Sequence, residues 1–225
     1  MTVDLFQQRR LGGATAVSTD APSINDQSVA FGQTAAVFKS WDSAAMSLAV
    51  WRREPPADVG RLLDELRLDA ITGWRKTLDA ATAGPIIAQL MATSGFREPV
   101  LERFLATDII LLTRIFATTT GTRAIEARLD VIRDDACRRF HVDNHPARLV
   151  VTYVGPGTVW VPSCYGKKAL IEQDGYSGPA FVFPAYSAGL FAGEAAGRTG
   201  LVHRSPCIAG TGRMRLFFCV NAARH

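Results

Sequence analysis

Apolar and polar positions divide this chain near Thr122: before it, apolar residues recur every three or four positions; after it, they alternate or gather into short runs between glycines and prolines. Pro55-Pro56 and Asp58 open a helix with Val59, Leu62, Leu63 and Leu66 along one side. A second helix is predicted over 85–91. A third, longer one starts at Glu98-Pro99 and runs to about Phe116, with Val100, Leu101, Phe104, Leu105, Ile109, Leu112 and Ile115 as its apolar stripe. Residues 47–51 read as a short strand ahead of these helices. The first stretch, 1–36, is rich in Gly, Ala, Ser, Thr, Asp and Gln without periodicity, and is expected to be a flexible arm without chemistry.

The second half predicts strands. Residues 124–132 alternate Ile125, Ala127, Leu129 and Val131 with charged or polar neighbours, the pattern of a strand with one wet face. Residues 148–154 form a β-branched run halted by Gly155-Pro156-Gly157, read as a hairpin turn, and 158–161 resume it. Further short strands are expected at 169–171, 180–183, 200–203 and 213–220. Many short strands between Gly and Pro turns suggest a sandwich or barrel of the jelly-roll kind. The expected organisation is the arm, a helical buttress with one strand over 37–121, and a β core over 122–225, together one structural unit.

Composition narrows the setting. A chain of 225 residues, 48% of them hydrophobic, can bury one sizeable core. The net charge of +4 comes from Lys and Arg scattered among acids, without a run that would track phosphates, so nucleic acid is not the expected partner. No apolar stretch approaches the roughly 18 residues of a membrane span, and Met1-Thr2-Val3-Asp4-Leu5 lacks the basic start and apolar core of a signal peptide; a cytoplasmic protein is expected. The four cysteines, Cys137, Cys164, Cys207 and Cys219, form no C-x-x-C pair and are expected to be reduced thiols.

The chemistry lies in three residues. His141-Val142-Asp143 precedes an apolar run, and in an extended chain residues i and i+2 point to one side, so His141 and Asp143 can reach a single ion while Val142 packs behind. A third ligand must come from a strand distant in sequence, the position open to His203. Two imidazoles and one carboxylate suit a divalent first-row metal and, with coordination positions left open, oxygen-activating Fe(II). His145, before Pro146, reads as a loop residue, and His225 as part of a disordered end. Gly155-Pro156-Gly157 lacks the Lys-Ser/Thr and following helix of a phosphate cradle.

His141-Val142-Asp143-Asn144, Arg148-Leu149-Val150-Val151-Thr152-Tyr153, a glycine turn, distal His203 and a strand opening with Arg213-Met214-Arg215 together resemble the core of the Fe(II)/2-oxoglutarate-dependent oxygenases. More closely, residues 137–143, 152–160 and His203-Arg204-Ser205-Pro206 resemble a bacterial family of domains of unknown function, whose members are often encoded beside zinc-responsive GTPase metallochaperones. The oxygenase resemblance implies an α+β, mainly β fold, a double-stranded β-helix or cupin-like jelly roll with flanking helices. It implies His141, Asp143 and His203 as iron ligands and 2-oxoglutarate as cosubstrate, oxidising a small-molecule or protein substrate, usually by hydroxylation. It also implies a basic residue on the last strand for the distal carboxylate. Arg213 and Arg215 both qualify and share strand parity, with Arg215 fitting slightly better. Tyr153 stands where a tyrosine hydroxyl assists with the same carboxylate, and Trp160 where it would wall the pocket. Cys137 and Cys207 depart from the pattern: a thiolate joining the ligands would favour zinc and a non-catalytic role in zinc homeostasis on the same fold. A third reading is an interaction protein that has lost its cosubstrate. Each side chain has a plainer competitor: a surface ion pair for either arginine, core packing for Tyr153 and Trp160, a small buried hydrophobe for Cys137 or Cys219. Substrate contacts are expected from 162–178 and 184–200, and a homo-oligomer is compatible with the sequence.

Overall fold

The computed structural model describes residues 17–18, 26–42, 44–194 and 198–223. In chain order, strands β1 (Val17–Ser18), β2 (Val29–Gly32) and β3 (Leu48–Trp51) precede helix α1 (Ala57–Asp64). Strand β4 (Trp74–Asp79) is followed by α2 (Ala83–Ala92) and α3 (Pro99–Thr120). Then come β5 (Ala124–Ile132), β6 (Ala147–Val154), β7 (Val159–Val161), α4 (Ser163–Glu172), β8 (Ala180–Val182), β9 (Ala188–Ala192), β10 (Val202–Arg204) and β11 (Arg215–Ala222). Residues 1–16 and 19–25 of the expected arm lie outside the described residues, as does His225. From 29 onward the arm's remainder is part of the body, because β2 pairs in parallel with β3.

Seven strands form one sheet in the order β2-β3-β9-β6-β11-β5-β4, and four form another, β1-β8-β7-β10. His141 pairs with His203 of β10 and extends the smaller sheet by one position. From β5 onward the chain passes from the large sheet to His141, back to β6, across to β7 and β8, back to β9, across to β10 and back to β11. That winding is the double-stranded β-helix, a jelly roll. The Gly155-Pro156-Gly157 turn therefore carries the chain between sheets, and the hairpin expectation is corrected: β6 and β7 are not partners.

Strand parity decides what each face touches. On β11, Leu216, Phe218 and Val220 join the core under the helices, together with Leu149, Val151 and Tyr153 of β6 and Ile125, Ala127 and Leu129 of β5. The opposite faces look between the sheets, where Val150, Trp160, Phe183, Phe191, Phe217 and Cys219 form the inner core. Helix α3 braces the outer face. Pro99 opens it, and Gly121, at φ 67°, ends it in the left-handed region. Leu101, Leu105, Ile109, Leu112 and Phe116 are each 0% exposed, and burial of such side chains is worth about 2 kcal/mol apiece. Val100, expected in that stripe, is 50% exposed because the stripe begins one position later.

Two expectations are corrected. The predicted strand at 169–171 lies in α4: Ala169 is buried against the smaller sheet while Ile171 is 73% exposed, a one-sided pattern of helical period that three apolar residues cannot reveal. The segment 184–200, expected as a substrate loop, contains β9, buried at all five positions between β3 and β6 and so lacking alternation. Strands β2 and β4 were not predicted. Among the described residues no helix is long and apolar enough to cross a membrane.

Candidate metal centre

Antiparallel pairing brings the two histidines together. His141 and His203 exchange both backbone hydrogen bonds, each 3.0 Å, so they stand directly opposite and put their rings on one side, with centroids 4.4 Å apart. Asp143 follows two residues later on the same side. Its loop is locked by the exit from β9: Glu194 N donates to the Asp143 carbonyl at 2.9 Å. Gly193 makes this approach possible, because a β-carbon there would lie 1.9 Å from the His145 carbonyl oxygen and 2.3 Å from that of Asp143.

The donor atoms face one another. One ligand atom from each of His141, Asp143 and His203 lies within 4.8 Å of the other two. His141 Nδ1 is 2.9 Å from the Arg139 carbonyl, and His203 Nδ1 is 3.0 Å from the Leu201 carbonyl. A carbonyl only accepts, so Nδ1 carries the proton in each ring, and Nε2 of the neutral ring is a lone pair. Those Nε2 atoms stand 3.6 Å from Asp143 Oδ1 and Oδ2, too long for hydrogen bonds. Arg148 Nη1 holds Oδ1 at 2.9 Å, while buried Oδ2 has no hydrogen-bond partner among the described residues. Two lone pairs and an orphaned carboxylate oxygen converging on one point fit a divalent cation, and the nitrogen–oxygen donor set suits Fe(II).

Charge states agree with that geometry. Burial pushes the His203 pKa down to about 4, with Asp143 opposing, so this ring is neutral at pH 7. Burial raises the Asp143 carboxyl, but His141, His203 and Arg148 outweigh it and lower the pKa to about 2. His141 is held above its ordinary value chiefly by Asp143, against the effect of burial.

A cavity of about 370 Å³ opens on these rings, with Val150, Phe191 and Phe217 among its apolar walls. Across it stands Arg215, the first residue of β11, 1% exposed. Its Nη2 donates to Thr152 Oγ1 at 3.1 Å and Thr158 Oγ1 at 3.3 Å, while its buried Nε has no partner. Among the described residues no carboxylate pairs with it, and burial alone lowers its pKa to about 10. A buried guanidinium with donors to spare and only neutral hydroxyls accepting from it has the chemistry to receive an anion.

Other predicted positions fall elsewhere. Arg213 is exposed and precedes β11, so it does not enter the cavity. Tyr153 has the opposite parity from Thr152: it faces the helices and donates to Asp108 Oδ2 at 2.6 Å, which corrects its expected place beside the cosubstrate. Trp160 is buried among Phe31, Phe181 and Phe183 in the inner core and does not line the cavity. Cys137 lines the cavity mouth and Cys207 is exposed, but neither belongs to the donor cluster, so no thiol joins the ligands. The helix α4 occupies most of 162–178, on the outer side of the smaller sheet; 184–200 contributes Phe191 to the walls, and Asp130, Arg133 and Asp134 come from the end of β5 and the segment after it. Sequence reasoning overlooked Arg148, Thr152 and Thr158. Strand parity with Val150 would have placed the first two.

Residues 32–221 match the family model described as Protein of unknown function (DUF1826). No curated protein sequence matches the chain. Among solved structures the chain is similar to dioxygenase for auxin oxidation 1 from Arabidopsis thaliana in complex with 2-oxoglutarate, at 9% identity and TM-score 0.45 over 88% of this chain and 92% of that one. It is similar to a prolyl-4-hydroxylase from Pseudomonas putida, at 15% identity and TM-score 0.43 over 86% and 100%. It is also similar to the Kdo hydroxylase KdoO, a non-haem Fe(II) α-ketoglutarate-dependent dioxygenase, at 12% identity and TM-score 0.46 over 87% and 89%.

Proposed function

The chain belongs to the DUF1826 family, whose matched segment holds every residue of the centre, and from that premise we propose that it is an Fe(II)- and 2-oxoglutarate-dependent oxygenase. His141, His203 and Asp143 hold the metal. Because Arg148 occupies Asp143 Oδ1, the carboxylate offers Oδ2. Arg215 receives the distal carboxylate of 2-oxoglutarate as a planar fork, with Thr152 and Thr158 fixing its orientation. Bound iron with 2-oxoglutarate and O2 supplies the oxidising chemistry, in which decarboxylation of the cosubstrate is coupled to oxygen insertion into a substrate C–H bond. Val150, Phe191 and Phe217 supply apolar walls to the cavity that Arg215 shares with the imidazoles, which strengthens charge interactions beside them.

The observation that carries this reading is the buried, acid-free Arg215 sharing one cavity with a convergent His-Asp-His set. It also favours iron over zinc storage, which requires no anion receptor; the thiols that would favour zinc lie outside the donor cluster. The test is the visible charge-transfer band of an anaerobic Fe(II)·2-oxoglutarate complex. The band is expected in the wild type and in Arg213→Ala, and lost in His203→Ala and at modest 2-oxoglutarate concentrations in Arg215→Ala. An iron-loaded wild type that shows no band refutes the proposal.

A further inference from the structure

Beside the metal centre lies a second, more polar cavity of about 300 Å³. It shares Arg128 and Arg148 with the first, so the two are neighbours. Arg75, Thr77, Glu126 and Asn221 complete the part of its wall formed by the inner face of β4, β5, β11 and β6. Three guanidinium groups therefore line this space against one carboxylate.

Their arrangement sets like charges side by side. Arg75 and Arg128 are direct cross-strand partners in the β4–β5 ladder, and their side chains border the same cavity. Like charges directly opposite each other destabilise a strand pair. Against burial, Cys219, Asp130 at 3.4 Å and Glu126 raise the Arg128 pKa above its ordinary value, whereas among the described residues no acid pairs with the exposed Arg75. Arg148 bonds Asp143 Oδ1 through Nη1 and Asn221 Oδ1 through Nε, at 2.9 and 3.3 Å, leaving Nη2 outside both contacts. A multidentate oxyanion would relieve the repulsion by bridging guanidinium forks. A neutral guest would not.

We propose that this cavity is the anion subsite of the primary substrate, which is a small molecule carrying a carboxylate or phosphate. The assignment of that anion to a substrate rests on the oxygenase reading above. Arg148 touches both the subsite and the metal-binding carboxylate, so an anion held there sits one side chain from Asp143. The carbon to be oxidised then lies close to the acidic group, and the size of the cavity suits a small acid or a single end group.

The experiment measures binding of inorganic phosphate and of acetate to the full chain at low ionic strength by calorimetry, with melting curves in parallel. Wild type is expected to bind at least one of them, the tighter naming the group. Arg75→Ala and Arg128→Ala are each expected to weaken that binding at least tenfold, and Arg75→Lys less than Arg75→Ala. Arg215→Ala, which removes the other anion receptor, is expected to retain the Arg75-dependent binding event within twofold. The ligand-free Arg75→Ala protein is expected to melt at or above the wild-type temperature, since a repulsive pair has been removed. The proposal is overturned if wild type binds neither anion, if binding is lost only in Arg215→Ala, or if ligand-free Arg75→Ala melts several degrees lower. A protein that binds phosphate through Arg75 yet gives no Fe(II)·2-oxoglutarate band would sink the oxygenase reading and leave the anion site standing.

Discussion

Replacing Arg215 by Met separates the demands of binding from those of folding. Arg215 is 1% exposed, and burial lowers its pKa from the ordinary arginine value to about 10. At 1.36 kcal/mol per pH unit, that depression is roughly 3 kcal/mol of uncompensated desolvation in the ligand-free protein. Met retains an unbranched stem to pack near Phe217, whose ring centre lies 5.0 Å from the guanidinium carbon. Loss of the two threonine hydrogen bonds subtracts about 1 kcal/mol each. Ligand-free Arg215→Met is therefore expected to be roughly 1 kcal/mol more stable than wild type, within a range of about 0 to 2 kcal/mol, a melting shift of about 2–4 °C for each kcal/mol in a domain of this size. With 2-oxoglutarate the sign reverses. Removing one partner of a buried charge pair costs about 2–5 kcal/mol, or roughly 30-fold to several-thousand-fold in affinity. Melting curves of metal-free protein and anaerobic titration of 2-oxoglutarate into the Fe(II) form check the two halves. A variant that melts several degrees lower, or that binds 2-oxoglutarate like wild type, shows Arg215 to be a structural residue and removes the main support for the oxygenase reading.

Three further outcomes follow from the geometry. Tyr153→Phe is expected to lower stability by about 1–3 kcal/mol, because Asp108 Oδ2 loses a buried donor at 2.6 Å, while leaving the Fe(II)·2-oxoglutarate band unchanged; urea unfolding and the spectrum decide this together. In metal-free protein the unfolded chain protonates His203 near pH 6.5 while the folded ring resists to about 4, so its contribution is intact above pH 6.5 and lost as pH falls towards 4. Worked as for Arg215, that loss is roughly 3 kcal/mol. It is measured as the difference between wild type and His203→Asn in urea at pH 7, 5.5 and 4, because His141 contributes with the opposite sign; a difference that does not vary with pH refutes it. Gly193→Ala is expected to displace the Asp143 loop, since its β-carbon would enter the His145 and Asp143 carbonyl oxygens, and to weaken Fe(II) binding at least tenfold as read by metal titration.

The legible part of this chain was its periodicity. The amphipathic stripes of α1, α2 and α3 and the alternation of β5 are written in the sequence, β5 with its bounds of 124–132, while β3, β6, β7, β8, β10 and β11 stand out to within a few residues as short apolar runs, several of them bounded by turn residues. Strand β9 was not legible: Ala188–Ala192 is buried on both faces and rich in small residues, so it carries no alternation. The three donors could be gathered from i, i+2 spacing and a distant histidine. The pairing register of His141 with His203 could not, since it depends on which strands become neighbours. Tyr153 differs from its expected place by one position of parity: its neighbour Thr152 faces Arg215. Arg213 and Arg215 share parity on paper, but β11 begins at Arg215, and parity has no meaning ahead of the strand.

Each imidazole is aimed by the carbonyl two residues before it on its own chain, Arg139 for His141 and Leu201 for His203. A peptide oxygen is present whatever side chain that residue carries. The ring tilt is therefore inherited from main-chain shape rather than from an auxiliary acid or amide that mutation could delete. Exposed position 139 can change identity without unseating its ligand, whereas Leu201 also fills the inner core, and a designer transplanting this centre would need to copy two short extended segments, their mutual alignment, and the Arg148 and Gly193 that place Asp143.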